Sequence, residues 1–325
     1  MPTIYPRILR VCLALCLALA LAVPCGAFAG EPQPDSQRLT LLATIFPAYD
    51  FARQLACGTA DVRMLLPPGS ESHSYEPSPQ DIIAIQEADL FLYTGGESDH
   101  WVEEILGSLG DSAPRAFRLT DCVSLLAEET SLSMQAEEGH AHDHDGREEA
   151  GLDEHVWTSP KNVMRIARAL SGVLCELAPD NAPLYAQTLA DYLLELEALD
   201  GAFAQTVAEG KRDLILFGDR FPFRYLAHDY HLRYDAAFPG CSEDSEPSVR
   251  TVVSLINAIR EQNIPVVFYI EFSSRRTAGI LAEETGATPL LFHSCHNVSA
   301  QELEAGATYL SLMWQNVSAL KEALN

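Results

Sequence analysis

The stretch APLYAQTLADYLLELEALDGAFAQTVA (residues 182–208) decides the fold, because it is one long helical pattern between two halves of similar design. A helix of this length spans about 40 Å at 1.5 Å per residue, enough to cross a whole molecule. We therefore expect residues 179–209 to form one long rigid helix that links two lobes. Apolar side chains recur on one side of it at helical spacing, namely Leu184, Leu189, Tyr192, Leu193, Leu196 and Leu199.

Short apolar runs alternate with helical patterns on both sides of this link. Before it, LTLLATIF (39–46), DVRMLL (61–66) and DLFLYTGG (89–96) are typical of strands, and after it so are DLILFG (213–218), RYDAAF (233–238), PVVFYIE (265–271) and TPLLF (288–292). Strands that alternate with helices predict an α/β fold, in which each lobe has a mostly parallel sheet flanked by helices. The expected lobes are residues 30–178 and 210–325.

Several helix ends can be predicted from single residues. Ser78 is placed to cap the helix QDIIAIQEA (80–88). Gly286 is placed to end the helix RRTAGILAEETG (275–286). The closing stretch AQELEAGATYLSLMWQNVSALKEAL (300–324) predicts one last helix.

The first 29 residues have the pattern of a cleaved signal peptide. Arg7 and Arg10 precede the short apolar run VCLALCLALALAV (11–23), and AFA (27–29) offers a small-x-small cleavage site. The pattern predicts a periplasmic or other extracytoplasmic location. Cys25 raises the alternative of a lipid anchor, although the proline before it fits a lipidation motif badly.

The chain is strongly acidic, with a formal net charge of −25 at pH 7. This charge argues against a nucleic-acid partner, because phosphates demand a basic surface, and it raises the local concentration of cations.

Part of the negative charge lies in residues 129–152, which lack apolar periodicity and predict a disordered insertion in the first lobe. Within it, EEGHAHDHDG (137–146) carries His140, His142 and His144 between glycines, so nothing fixes their rings around one ion. We expect an auxiliary zinc-collecting or zinc-sensing loop.

Five cysteines follow the leader region: Cys57, Cys122, Cys175, Cys241 and Cys295. In an oxidising compartment this number predicts up to two disulfides and one remaining thiol. The favoured bridge is Cys241 to Cys295, since both follow strands of the second lobe. Cys57 to Cys122 is the second candidate, and Cys175, in an apolar helical pattern, is the expected odd thiol.

Three histidines stand in loops that follow strands or begin helices. His73 lies in GSESHSYEPSP (69–79), His155 in DEHVWTSPKN (153–162), and His293 directly after TPLLF. Ligand sites of open α/β sheets lie beyond the carboxyl ends of the strands, so these loops are the first candidates for a metal site. His296 and His100 are minor candidates.

Five blocks in this order, SHSYEPSPQD, YTGGESDHWVEEIL, DEHVWTSPKNV, NAPLYAQTLADYLLELEALD and AEETGA, resemble the zinc- and manganese-binding substrate-binding proteins of metal-uptake ABC transporters. The resemblance runs from about Leu39 to the C-terminus. It implies two α/β lobes, one connecting helix, and a metal between the lobes that is delivered to a membrane permease. It also implies that His73 and His155 are ligands and that His293 is a third, whereas Gly218 occupies the place of another family ligand.

The ligand that replaces it is predicted to be Asp219, Glu271 or water. Glu271 is equally a candidate for orienting His155 or His293 through a hydrogen bond. A site of three histidines favours Zn²⁺ as cargo, with Mn²⁺ or iron as the close variant. We expect a monomeric binding protein rather than an enzyme. An exported zinc hydrolase would need an activating motif such as HExxH, which the sequence lacks, and a metal-dependent adhesin would keep the same fold.

Overall fold

The structure is a computed structural model that describes residues 38–71, 75–129, 131, 133, 151–240 and 246–325. Several predicted features lie outside these residues: the leader (1–29) with Cys25, His73, the three histidines of the insertion, and Cys241. Within the described ranges no helix is long and apolar enough to cross a membrane. The account below concerns the unit formed by Leu39–Asn325.

The first lobe is built on a four-stranded parallel sheet with strand order β2-β1-β3-β4. Both central strands, β1 and β3, are largely buried, as expected for a parallel sheet covered on both faces. The strands are β1 (Leu39–Ala43), β2 (Ala60–Met64), β3 (Leu90–Tyr93) and β4 (Arg115–Arg118), and the helices are α1 (Phe46–Ala56), α2 (Pro79–Glu87), α3 (His100–Leu109) and α4 (Pro160–Leu177).

The second lobe repeats this plan with strand order β6-β5-β7-β8, again all parallel. The predicted fold class is therefore confirmed. The strands are β5 (Leu214–Arg220), β6 (Arg233–Phe238), β7 (Val266–Tyr269) and β8 (Thr288–Leu291); the helices, numbered after the linking helix α5, are α6 (Arg224–Tyr230), α7 (Val249–Gln262), α8 (Arg276–Thr285), α9 (Ala300–Glu304) and α10 (Tyr309–Leu324).

The linking helix α5 spans Ala182–Glu209 and follows a short 3₁₀ turn at Pro179–Asn181. It packs against α1, α4 and α10, so it is part of the protein interior rather than a solvent-exposed connection. One continuous apolar core, which includes Phe51, Leu196 and Phe217, runs from the first sheet along α5 to the second. The buried residues of α5 are Tyr185, Tyr192, Leu196, Leu199, Phe203 and Thr206.

The helix ends follow local chemistry. Ser78 caps α2 in a reciprocal arrangement with Asp81, and Gly286, at φ +80°, ends α8 by donating its N–H to Ala282 O, so both predicted ends are confirmed. The single closing helix is wrong. Gly306 adopts φ +79° and the Thr308 side chain caps a new helix, so residues 300–324 form α9 and α10 instead.

Two residues near the start of the predicted insertion (129–152) pack against the second lobe. Ser131 and Ser133 are buried, and the Ser133 hydroxyl donates to Asp235 Oδ2 at 2.6 Å. Both serines contact β6, which is an edge strand of the second sheet. Their contacts partly cover this edge. The two ends of the insertion also pair with each other, through an antiparallel bridge between Ala127 and Leu152.

Candidate metal centre

His155 lies at the junction of the lobes, in the turn that precedes α4, and its side chain is fully buried. Its position is fixed by Asp153. The Asp153 Oδ1 atom accepts the His155 main-chain N–H at 2.9 Å and lies 3.1 Å from His155 Nδ1. Because a carboxylate can only accept, the neutral ring carries its proton on Nδ1, and the lone pair is on Nε2. This is the form in which imidazole binds a metal through Nε2.

Burial acts to lower the pKa of His155, but the negative charge of Asp153 and its hydrogen bond outweigh that effect, and the pKa is raised. Asp153 is itself buried, and its carbonyl accepts the hydroxyl of Tyr225 at 2.6 Å. The ring of His155 is therefore held in an electronegative environment that favours a bound cation.

Two glycines lie close to His155 and to its neighbour Glu154, respectively. A methyl group added at Gly240 would lie 3.2 Å from His155 Cε1. A methyl group at Gly96 would lie 2.2 Å from an oxygen of Glu154, whose carboxylate accepts hydrogen bonds from the main chain and the hydroxyl of Ser98. Both glycines thus allow close packing that a larger side chain would prevent.

The second imidazole at this junction belongs to His296, in the loop after β8. Its ring lies edge-on to that of His155, with the ring centroids 4.8 Å apart, and it also packs edge-on against Trp157 at 4.9 Å. The Trp157 indole N–H donates to Ser294 O at 2.8 Å and so holds the loop that carries His296. Trp157 therefore packs beside both histidines.

The proton of His296 is fixed by a relay that starts at Glu271. The Ser294 hydroxyl donates to Glu271 Oε1 at 2.5 Å, so its oxygen is the acceptor for His296 Nδ1, which lies 2.8 Å away. The neutral His296 ring therefore carries its proton on Nδ1 and its lone pair on Nε2. Glu271 thus acts on the ring through Ser294, as one of the alternatives predicted for it, although on His296 rather than on His155 or His293.

His293 has the opposite arrangement. Its Nδ1 accepts the main-chain N–H of Cys295 at 3.0 Å, so the neutral ring carries its proton on Nε2, the wrong tautomer for coordination through that atom. Glu271 Oε1 is a more distant neighbour of the same nitrogen, at 3.5 Å. His293 Nε2 is buried and has no hydrogen-bond partner among the described residues. The imidazole that the structure shows packed against His155 is that of His296, and His293 stays a predicted ligand.

Asp219 lies near the end of β5 with both carboxylate oxygens engaged. It accepts the main-chain N–H groups of Arg220 at 2.9 Å and Ile270 at 3.2 Å, and burial raises its pKa. Its neighbour Gly218 is packed against α8, since an added Cβ would lie 2.5 Å from the Cα atom of Ala278. A larger side chain at Gly218 would therefore clash with the main chain of α8 in this packing.

The loop that carries His296 belongs to the second lobe by sequence but is bonded to the first. Asn297 is central to this contact, because its side-chain amide donates to two carbonyls of the loop that leads to His73. The hydrogen bonds run from Phe46 N to His296 O (3.2 Å), from Gly69 N to Val298 O (2.8 Å), and from Asn297 Nδ2 to Pro67 O (2.7 Å) and Ser70 O (2.9 Å).

The cysteine pairing differs from the prediction. Cys295 is a free, fully buried thiol that points toward His293 O, which contradicts the expected disulfide with Cys241. Cys122 is also free whereas Cys57 is disulfide-bonded, so the bridge between those two is wrong. Cys175 is a free thiol, as predicted.

Two oriented imidazoles form half of a tetrahedral zinc site, for which further donors must come from elsewhere. In the part of the chain that the structure describes, no group of three or more His, Cys, Asp or Glu side chains is arranged to hold an ion. Among these residues, His293, Asp219 and Glu271 thus form no such group with His155 and His296 as their side chains stand. His73, the remaining candidate, lies outside the described residues.

Two parallel α/β lobes on one rigid helix, with paired imidazoles at their junction, define a two-lobed substrate-binding protein. Residues 41–323 match the family described as zinc-uptake complex component A periplasmic (ZnuA), and the chain belongs to this family.

Individual relatives agree. The chain is 30% identical over 299 residues to the zinc-binding lipoprotein AdcA of Streptococcus pneumoniae, covering 91% of this chain but only 58% of that protein. It is 29% identical to the high-affinity zinc uptake system protein ZnuA of Bacillus subtilis, covering 92% of each. The crystal structure of the Zn(II)-bound ZnuA-like domain of S. pneumoniae AdcA superposes with a TM-score of 0.72 at 28% identity, covering 89% of this chain and 99% of that domain.

Proposed function

We propose that this protein captures Zn²⁺ outside the cytoplasmic membrane and delivers it to the permease of an ABC uptake system. The observation that carries the proposal is the pair His155 and His296, whose ring centroids are 4.8 Å apart and whose Nδ1 protons are directed to Asp153 and to the Ser294 hydroxyl, respectively. Both Nε2 atoms therefore carry lone pairs at one place. The cargo would be bound there as the substrate of transport.

His73 is the third ligand in this proposal. Its support is local: Ser70 O, three residues earlier, accepts a hydrogen bond from Asn297, the neighbour of His296. An all-imidazole set favours zinc over manganese, which prefers oxygen ligands. The zinc named in the relatives' descriptions supports the same choice. Water would complete the coordination.

The location, partner and insertion belong to the same proposal. The leader pattern (1–29) supports export, with release by a signal peptidase rather than a lipid anchor at Cys25. The partner would be a membrane permease, and the carrier would act as a monomer. The auxiliary zinc-collecting role predicted for His140, His142 and His144 is part of the same proposal, supported by their spacing in the sequence.

The hydrogen bonds of Glu271 favour a carrier over an exported zinc hydrolase. A hydrolase needs an acid or base beside the metal-bound water. Both oxygens of Glu271 instead accept hydrogen bonds from Ser294, at 2.7 Å from its N–H and 2.5 Å from its hydroxyl. Glu271 therefore serves to orient His296 and is poorly placed for proton transfer.

The test is zinc titration of the chelator-treated mature protein against a competing chelator, with single variants His155→Ala, His296→Ala and His293→Ala. The proposal expects the tight site to be lost in the first two variants and retained in the third. His100→Ala serves as the matched control, because the His100 side chain is 78% exposed. Retained tight binding in His296→Ala, or its loss in His293→Ala with the melting temperature unchanged, would reject the ligand set.

A further inference from the structure

The hydroxyl of Tyr225 lies between the two chain segments that flank the predicted insertion. It donates to Asp153 O at 2.6 Å and accepts the main-chain N–H of Leu126 at 3.2 Å. The N–H of Asp153 in turn donates to Leu126 O at 2.9 Å, so the three residues close a ring of hydrogen bonds. Tyr225 is on α6 of the second lobe, whereas Leu126 and Asp153 belong to the first. One hydroxyl therefore joins the two lobes at the residue that orients His155.

The environment of Tyr225 keeps this hydroxyl a donor. The side chain is buried, and burial raises its pKa to about 12, although the hydrogen bond from the Leu126 N–H acts to lower it. The distance of 2.6 Å to Asp153 O is at the short end of the usual range for O–H···O hydrogen bonds. Loss of the hydroxyl would deprive two main-chain groups, Asp153 O and Leu126 N–H, of this partner at a cost in free energy.

The main chain of Asp153 determines where its carboxylate lies. Its N–H is held by Leu126 and its carbonyl by Tyr225, so both polar groups of this peptide segment are fixed. The carboxylate oxygen Oδ1 then accepts the His155 N–H at 2.9 Å and lies 3.1 Å from His155 Nδ1. The second of these distances is already long for a hydrogen bond, so a small shift of Asp153 would release the His155 ring.

Other contacts of α6 hold the chain on the far side of His155. The helix packs against the 3₁₀ turn Val156–Thr158, and Asp229 accepts a hydrogen bond from the Ser159 hydroxyl. These contacts act on residues that follow His155. The Tyr225 hydroxyl instead acts on the residue whose carboxylate fixes the tautomer of the ring.

We infer that Tyr225 is a positioning residue, through which the second lobe holds His155 in its metal-binding orientation. The inference rests on the proposed function, because it takes His155 as a zinc ligand. Tyr225 acts through Asp153: the carboxylate keeps the proton on His155 Nδ1, and the lone pair on Nε2 faces the ion. Movement of α6 away from the first lobe would break this bond and weaken the hold of His155 on the ion without separating the two imidazoles.

The first test is zinc titration of the mature protein against a competing chelator. Tyr225→Phe removes the hydroxyl at constant ring shape and should weaken zinc about tenfold, the lower end of the effect of losing an orienting partner. Tyr230→Phe is the matched control, because Tyr230 is on the same helix and its hydroxyl donates to Asp200 Oδ1 at 2.7 Å. Wild-type affinity in Tyr225→Phe, or an equal loss in Tyr230→Phe, would overturn the inference.

A double-mutant cycle with Asp153→Ala separates positioning from general stabilisation. If Tyr225 acts through the Asp153 carboxylate, Tyr225→Phe should cause no further loss of zinc affinity once that carboxylate is absent. A purely structural contribution of the hydroxyl would weaken zinc equally in both backgrounds. An undiminished loss in the Asp153→Ala background would therefore reject the assigned role.

The imidazole itself gives a readout that needs no metal. In metal-free protein labelled with ¹⁵N-histidine, at alkaline pH where the ring is neutral, the nitrogen shifts of His155 should show the Nδ1–H tautomer in wild type and a mixture of tautomers in Tyr225→Phe. The signal is assigned by its loss in His155→Ala. Identical shifts in the two proteins would overturn the inference. Absence of tight zinc binding in wild type would instead reject the carrier proposal, and the tautomer would still decide whether Tyr225 positions the ring.

Discussion

His296 lies edge-on to His155 at a centroid distance of 4.8 Å, although the two residues are 141 positions apart in the sequence. Each ring is oriented by an acid, Asp153 directly for His155 and Glu271 through the Ser294 hydroxyl for His296. Such partners fix the tautomer and ring orientation of a metal-binding histidine. The first prediction concerns the hydroxyl between Glu271 and His296.

Ser294→Ala should weaken zinc binding without removing a ligand. The substitution breaks the connection from Glu271 to His296 Nδ1, so the His296 proton is no longer fixed on that nitrogen. Loss of such an orienting partner costs about 10- to 100-fold in metal affinity. Chelator competition would measure it, with Ser318→Ala as the control because the exposed Ser318 hydroxyl only contacts Trp314 O. An affinity within twofold of wild type would show that the relay is not needed.

Gly240→Ala should displace His155. The added methyl group would lie 3.2 Å from His155 Cε1 and 3.0 Å from Phe221 O, so the ring has to shift, and we expect zinc affinity to fall about tenfold. Gly279→Ala is the matched control, since nothing lies within 4 Å of its added methyl group. It should leave zinc binding unchanged and stabilise α8 by about 0.5–1 kcal/mol. Unchanged zinc affinity in Gly240→Ala would refute the crowding argument.

Gly218→His should not restore a metal ligand. Any Cβ there would lie 2.5 Å from the Cα atom of Ala278, which is main chain and cannot move aside cheaply. Overpacking of this kind typically costs about 1–3 kcal/mol. Denaturant unfolding should therefore show lower stability for both Gly218→Ala and Gly218→His, with no gain in zinc affinity for the histidine variant. A tighter zinc site in Gly218→His would mean that α8 moves away to admit the ring.

Asp99 should make part of the stability pH-dependent. Burial, aided by the charge of Glu154, raises the pKa of Asp99 to about 6 from a usual value of 3.8. The folded state thus holds this proton more tightly than the unfolded state, so the contribution is fully present below pH 3.8 and is lost as the pH rises through about 6.

The matching variant is Asp99→Asn, which has no charge to bury and keeps an oxygen for the N–H groups of Thr94 and Gly95. Relative to wild type, it should gain up to about 3 kcal/mol of unfolding free energy between pH 4 and pH 7, measured by urea unfolding of metal-free protein. Parallel pH profiles for the two proteins would contradict the assigned shift.

Much of the fold could be predicted because local sequence signals agree with the tertiary structure. The strand runs, the Ser78 cap and the Gly286 helix end depend on nearby residues, and α5 shows its inward side through helical spacing. The closing helix was predicted wrongly because apolar periodicity continues across Gly306. The left-handed backbone conformation of Gly306 nevertheless interrupts the helix there. At this position the tertiary structure overrides the local sequence pattern.

The site was less predictable for a related reason. His293 and His296 stand three residues apart in HSCHN, and a loop has no period to show which one faces His155. The choice depends on Glu271, more than twenty residues earlier in the chain, which fixes His296 through Ser294. The cysteines gave a similar difficulty, because their pairing depends on side-chain direction rather than on compartment alone.

The bonds of Asn297 to Pro67 and Ser70 have a consequence for the residence time of the cargo. They attach His296 to the lobe that carries His155, so swinging the second sheet away would not by itself separate the two imidazoles. Unloading would instead require this loop to detach locally, and the dwell time of the ion would then be governed by the opening frequency of a few hydrogen bonds.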